Sequence, residues 1–360
     1  MAAGINSPPP ELEEAVTVPL SWSIFDPIRG VWADLPQKAI AFKGIEASNP
    51  SPSANSPLSL VTWNIDAHAY EPIARLGRLL EAIYRQCSRA GPTDTAPRKD
   101  SDTPDVIFLQ EVGSFGKQVL EALLRNEWIR GNYYVSGPAW FLQDPHHNCY
   151  SITFVSRHRF EADDLGPVWR IELPSRYGRY ALCCDLGQPA SSECSHSRVY
   201  RFINVHLDKG AERPNKRPLQ MEIIANALKG QGISGGVVAG DFCPVIPEED
   251  DEIVSANELV DCWSVLQPGQ EGNTWVPKAR ESYPPCRMDK IAVTKARVDD
   301  AGPNNHLKPR SIEVLRPGML KQVPLGGPQG MTNSDVGTPY LQIPWSNHCG
   351  LYAIFTLSTD

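Results

Sequence analysis

From residue 58 onward the chain switches repeatedly between two hydrophobic periods. Leu58 to Asp66 is an apolar run around Val61-Thr62-Trp63 and predicts a strand. Ile73, Leu76, Leu80, Ile83 and Cys87 then recur at helical spacing within 71–90. Asp105 to Val112 returns to strand, with Val106-Ile107-Phe108-Leu109 as the run of a sheet buried on both faces. Val119, Leu120, Leu123, Leu124 and Trp128 make a second helical stripe. Further strands are predicted over 151–157, 180–186, 198–207, 235–242, 287–293, 311–316 and 350–357. Met221, Ile224, Ala225 and Leu228 support a helix over 218–229. Roughly ten strands against three or four helices is strand-rich for one doubly wound sheet, so two stacked sheets flanked by helices fit better. No repeat of fixed period is present.

The segment before 58 reads differently. Residues 1–15 are rich in Pro and Glu and are expected to be disordered. Residues 20–35 carry two Trp, a Phe and several aliphatics, too apolar for a free linker, and are expected to pack on the domain surface. Residues 48–57 read as a Ser/Pro linker and 91–104 as a polar surface loop. The division is therefore an N-terminal extension at 1–57 and one domain at 58–360.

Composition narrows the function classes. A net charge of −8 excludes a molecule that is basic throughout, so any nucleic-acid contact needs a local patch. The nine Cys are an odd number without a Cys-x-x-Cys pair, which points to free thiols in a reducing compartment and away from structural zinc. The N-terminus lacks a charged segment followed by an apolar one, and no stretch approaches the ~20 apolar residues that cross a bilayer. A cytoplasmic or nuclear protein is expected, not secreted, without a membrane partner and monomeric.

Several apolar strands end in residues that burial alone would not select: Asn64 and Asp66, Glu111, His206, Asp241, Asp289, and His348 just before the last strand. Strand ends in stacked sheets gather at one edge, where open α/β proteins place their sites. Carboxylates, amides and histidines together suit a hard divalent cation and phosphate chemistry.

The ordered set Thr62-Trp63-Asn64-Ile65-Asp66, Leu109-Gln110-Glu111-Val112, Asn204-Val205-His206-Leu207, Gly240-Asp241, Arg287-Met288-Asp289-Lys290-Ile291 and Ser346-Asn347-His348 resembles the endonuclease/exonuclease/phosphatase family. Within it, the likeness is closest to tyrosyl-DNA phosphodiesterases that cleave 5′-phosphotyrosyl links. The resemblance spans about 58–357. It implies a four-layer α-β-β-α sandwich of two stacked mixed sheets, and a Mg²⁺-dependent (or Mn²⁺-dependent) phosphodiesterase acting by in-line attack of water. It also implies the roles of single residues. Glu111 would hold the metal, with Asn64 beside metal and phosphate. Asp241 would orient or deprotonate the attacking water. His348, oriented by Asp289, would stabilise transition-state charge, and His206 would donate to a non-bridging oxygen. Arg179 matches a position near the scissile phosphate.

The substrate implied is a phosphodiester, with single-stranded DNA or a protein–DNA adduct as its form. Lys209, Arg213, Lys216 and Arg217 could hold further phosphates, or form a solvated loop. Trp275 could be an aromatic platform for a base, or core packing. His146-His147 read as surface residues rather than a metal pair.

Two positions depart from the family pattern. Cys243 stands where Gly-Asp-x-Asn has its asparagine, and a thiol is a poor donor. Asn347 stands where Ser-Asp-His has its aspartate, so one negative charge near the metal is lost. A third, smaller change puts Lys209 where the related phosphodiesterases tend to carry a serine. Three readings follow: an active hydrolase with an altered site, a weakened relative that binds phosphorylated ligands or nucleic acid, or a scaffold recruited to small-molecule chemistry with Cys243 in the new site.

Overall fold

The computed structural model describes residues 15–35, 57–66, 71–87, 103–113, 117–137, 150–188, 198–209, 215–244, 252–275, 284–295, 307–318, 321–324 and 340–357. The disorder expected at 1–15, except Ala15, lies outside these, as do nearly all of the linker, most of the loop at 91–104, His146-His147 and Arg213. The described strands begin with β1 (Thr17–Leu20), β2 (Trp22–Asp26), β3 (Val31–Asp34), β4 (Leu58–Asn64), β5 (Val106–Gln110), β6 (Tyr133–Ser136) and β7 (Ile152–Ser156). They continue with β8 (Leu165–Glu172), β9 (Tyr180–Gln188), β10 (Arg198–His206), β11 (Gly235–Asp241), β12 (Leu259–Asp261) and β13 (Asp289–Thr294). The last four are β14 (Leu307–Leu315), β15 (Lys321–Pro324), β16 (Tyr340–Ile343) and β17 (Gly350–Leu357). The helices are α1 (Pro72–Gln86), α2 (Gln118–Arg125), α3 (Glu127–Asn132), α4 (Arg217–Leu228) and α5 (Cys262–Leu266).

Seven strands form one mixed sheet in the order β1-β8-β9-β10-β11-β13-β12, and eight form the other, β14-β17-β4-β5-β7-β6-β2-β3. The β4–β5 and β10–β11 pairs are parallel, whereas the neighbouring pairs are antiparallel. The expected sandwich of two stacked mixed sheets with outer helices is what the chain forms. Period-two alternation explains its layers. Val237 and Ala239 of β11 face the core shared by the two sheets, while Val238 faces the cluster under α4. The adjacent Cys183 and Cys184 split the same way. The apolar stripes of α1 and α2, Leu76, Leu80 and Ile83 with Val119, Leu120 and Leu123, join the larger core from the other side. All seven described cysteines that carry no disulfide are free thiols, six of them buried.

The N-terminal segment departs from its expected place on the surface. β1 pairs with β8 at the edge of the first sheet, and β2 pairs with β6 and β3 at the edge of the second. The second helical stripe is also broken. Asn126 ends α2 in extended backbone, and its side chain accepts from Ile129 N to cap α3.

Candidate active site

Register brings the polar strand ends together. In the first sheet His206 sits opposite Asp241, and Asp241 opposite Asp289, so three neighbouring strands present them side by side. In the second sheet Asn64 sits opposite Gln110, which delivers Glu111 one residue later. The two rows meet across the sandwich: Asn64 Nδ2 donates to Asp241 Oδ2 at 3.0 Å. Asp241 Oδ2 also lies 3.5 Å from His206 Nε2 and 3.7 Å from His348 Nε2. Glu111 Oε1 stands 3.8 Å from His206 Nε2.

Backbone geometry at this rim is unusual for side-chain-bearing residues. Asp66, Glu111 and Cys243 have φ of 47°, 61° and 45°. Left-handed backbone costs roughly 1–2 kcal/mol in non-glycine residues, least for Asn and Asp, and it clusters at functional sites. Gly240 (φ 145°) is required for another reason: a Cβ there would lie 1.9 Å from Val205 O. The neighbouring strands β10 and β11 pair this closely at the site because this residue has no side chain.

His348 is held from three sides. Trp63 Nε1 donates to its carbonyl at 3.0 Å, and its own N–H donates to Ser346 Oγ at 3.1 Å. Ser346 Oγ in turn donates to Asn64 O at 3.0 Å. The backbone of Trp275 bridges to His348. The ring Nδ1 lies 2.9 Å from Asp289 Oδ2, so it carries the proton.

The electrostatics separate the two histidines. Burial would lower His348, but the carboxylates of Asp289 and Asp241 outweigh it and raise the ring to about 10, so it is an imidazolium. His206 moves the other way: burial, then the Arg179 guanidinium, hold it well below its ordinary value. Arg179 Nη1 is 3.0 Å from His206 Nδ1, which must therefore accept. His206 is a neutral ring with its N–H on Nε2, aimed at Glu111 and Asp241. Burial pushes Asp241 up, but His348, His206 and the donors Asn64 and Cys243 bring it down to about 2.

The donor set fits a divalent cation. Three carboxylates, Glu111, Asp241 and Asp289, face two cations, Arg179 and His348. Asp289 Oδ1 is buried without a hydrogen-bond partner. Two triples bring side-chain atoms within 4.8 Å of one another, His206–Asp241–Cys243 and Asp241–Asp289–His348, but with His348 an imidazolium, the His206 proton on Nε2 and the Cys243 thiol protonated, only their carboxylates are available to a cation. Glu111 stands outside both, with a side chain 17% exposed at the mouth.

The other expected residues divide between the site and its surroundings. Asn64 Oδ1 accepts from Asp66 N at 3.0 Å, so its oxygen is committed to the turn and its amide to Asp241, rather than to a metal alone. Cys243 N donates to Asp241 Oδ1 at 2.9 Å, and burial raises its thiol pKa well above the usual range. Asn347 Oδ1 is buried without a partner. Trp275 is 7% exposed and packed, not presented as a platform. Lys209 is exposed beside the site and Lys216 half-buried, but Arg217 is buried and donates to Asp208 O. Its place in the expected cation group is lost because it is the first residue of α4 and packs inward.

Some residues that shape the site carried no signal in the sequence. Arg75 of α1 donates to Asp66 Oδ2 at 2.9 Å and to Pro344 O at 3.1 Å, tying the strand end to the loop before His348. Thr274 Oγ1 accepts from Asp289 N at 2.9 Å. Two residues of the motifs quoted above also meet: Gln110 Nε2 donates across the sheets to Asn204 Oδ1 at 2.8 Å, an amide bridge beneath the rim.

No family model and no curated protein matches the chain. Solved structures do. TDP2 from zebrafish (D. rerio), complexed with single strand DNA product, superposes with a TM-score of 0.54 at 18% identity, over 84% of this chain and 99% of that one. TDP2 from Caenorhabditis elegans gives 0.53 at 14%, over 84% and 74%. A truncated form of it gives 0.52 at 15%, over 83% and 97%. At these identities the likeness concerns the fold: the chain has the two-sheet α/β sandwich of the TDP2 structures.

Proposed function

We propose that this chain is a metal-dependent phosphodiesterase that cleaves a phosphoric ester by in-line attack of water. The observation that carries the reading is the meeting of Asp241 Oδ2 with Asn64, His206 and His348 within 3.7 Å, with Glu111 at the mouth. Glu111 would hold Mg²⁺ together with water and substrate oxygens, as hard cations with few protein ligands do. When bound, the cation supplies Lewis-acid stabilisation of phosphoryl charge. His348, charged and fixed by Asp289, donates from Nε2 to the phosphoryl oxygens as their charge grows. His206 donates from its neutral Nε2–H to another oxygen. A carboxylate held to about 2 is a weak base, so Asp241 orients the attacking water rather than taking its proton at neutral pH. The zebrafish protein's single strand DNA product supports a nucleic-acid strand as the substrate class.

A second reading, binding without turnover, is favoured by Cys243 and Asn347, which replace a donor and a charge that the family pattern places at this rim. The two readings separate on one experiment. Hydrolysis of a chromogenic phosphodiester should require Mg²⁺ or Mn²⁺ and fall by about 10²-fold or more in Glu111→Gln. Equal turnover in excess chelator sinks the hydrolase reading; oligonucleotide binding with no turnover at any metal concentration selects the second.

A further inference from the structure

A cavity of about 540 Å³ opens beside the candidate active site, lined by Arg78, Glu81, Ala82, Arg85, Pro317 and Trp345 among others. Nothing in the chemistry above uses it. Its position follows from two anchors. Arg75, three residues before Arg78 on α1, is bonded to Asp66 and to Pro344 O. Trp345 follows Pro344 and precedes His348 by three residues. The rise of 1.5 Å per helical residue puts Arg85 about 15 Å along α1 from Arg75, so the cavity runs outward from the rim. Between Gly318 and Trp345 in the sequence lies the β15–β16 ladder, which pairs within itself.

The lining is chemically specific. Arg78 stacks its guanidinium over the half-buried Trp345 ring at 5.8 Å. Glu81 holds both arginines, Arg78 at 3.0 Å and Arg85 at 2.6 Å, with the two arginine side chains 59% and 71% exposed. Described α1 residues include Arg75, Arg78 and Arg85 against Glu81 alone as a carboxylate, in a chain of net charge −8. A half-buried ring capped by the Arg78 guanidinium, with the Arg85 guanidinium on the same wall, matches a base layered on an aromatic–guanidinium stack between phosphates. Carboxylates or free metal ions have no use for the ring, and an apolar ligand none for the arginines.

We infer that the Arg78–Arg85–Trp345 cavity is a binding subsite for single-stranded nucleic acid, seating a base against the Trp345–Arg78 stack and flanking phosphates on the two arginines. This rests on the proposed function for the strand's course toward His348, but not for its measurement. Binding of a fluorescent single-stranded oligonucleotide is read by anisotropy in excess chelator, where turnover plays no part. The three side chains are exposed or half-buried, so melting curves serve as the folding control. Arg78→Glu with Arg85→Glu should weaken binding tenfold or more and reduce the log–log salt slope by about 1.4, two phosphates' worth. Trp345→Ala should weaken a normal strand about tenfold and an abasic strand much less. Glu81→Gln should move the other way and tighten binding, because it removes the carboxylate that competes with phosphate. Affinity within twofold of wild type in the charge-reversed variant overturns the proposal, as does absence of wild-type binding at low salt. Equal loss on normal and abasic strands in Trp345→Ala overturns the stacking role. Absence of hydrolysis bears only on the metal-dependent reading.

Discussion

Cys243 concentrates two separate costs. Its φ of 45° lies where asparagine is tolerated and other side chains are strained. Its thiol, raised by burial, offers Asp241 and substrate a poorer donor than a carboxamide. Cys243→Asn should therefore stabilise the fold by up to about 1 kcal/mol. It should also raise phosphodiester turnover at least tenfold if the lost donor matters as such donors do elsewhere. Denaturant midpoints read the first effect and kcat the second; a stabilised variant with unchanged kcat would assign Cys243 a purely conformational role. His348 gives a prediction in pH. Its pKa is raised in the fold from 6.5 to about 10, so its stabilising contribution is complete below 6.5 and is lost as pH rises through about 10. The stability gap between wild type and His348→Asn, from urea titrations, should narrow steadily across that window. A gap that widens with pH would mean the ring is neutral in the fold.

At the scale of elements, the parallel β10–β11 pair decides whether the rim forms, because it fixes His206 opposite Asp241. Gly240 permits that approach. Gly240→Ala would put a Cβ 1.9 Å from Val205 O at a backbone φ of 145°, and backbone cannot yield as a flexible side chain can. The expected result is a loss of about 3 kcal/mol or more and a rise in soluble aggregate, read by chemical denaturation and gel filtration. Normal stability would require the strands to separate locally, with loss of metal-dependent activity. The same elements show what sequence reveals. β5 and β11 are legible because a strand buried on both faces must be apolar at every position, as Val106-Ile107-Phe108-Leu109 is. Glu111, His206, Asp241 and His348 are legible because polar residues at the ends of such runs need a reason. β1 to β3 are not, since short edge strands half-buried and half-exposed carry no clear period. The inward packing of Arg217 is not legible, because charge in a loop-like sequence says nothing of the direction a helix's first residue packs. The Arg75–Asp66 pair was silent because its partners are nine residues apart with no periodic relation.

For the whole molecule, the N-terminal strands bear on how two sheets become one body. β1 closes an edge of the first sheet and β2 and β3 an edge of the second, with only Ser21 between β1 and β2. Trp22 is 3% exposed in the core between the sheets, and its Nε1 donates to Gly166 O of β8 at 2.9 Å, from one sheet to the other. This segment is a clasp across the sandwich at an edge, while Asn64–Asp241 and Gln110–Asn204 join the sheets beneath the rim. If the clasp sets the sheet separation, Trp22→Ala should cost about 3–5 kcal/mol, the usual range for a buried tryptophan. Trp22→Phe should cost less, but still about 1 kcal/mol or more, since Gly166 O is left without its donor in a buried place. Removing residues 1–35 should destabilise more than either, because it uncovers both β8 and β6 edges as well as the Trp22 cavity. Urea midpoints give the order, and metal-dependent turnover gives the consequence. A shift in sheet separation changes the Glu111–His206 distance across the sandwich, so activity should fall faster than the folded fraction. If truncation leaves stability at the wild-type value, the first 35 residues are an ornament on a domain that begins at β4, and the clasp has no mechanical role.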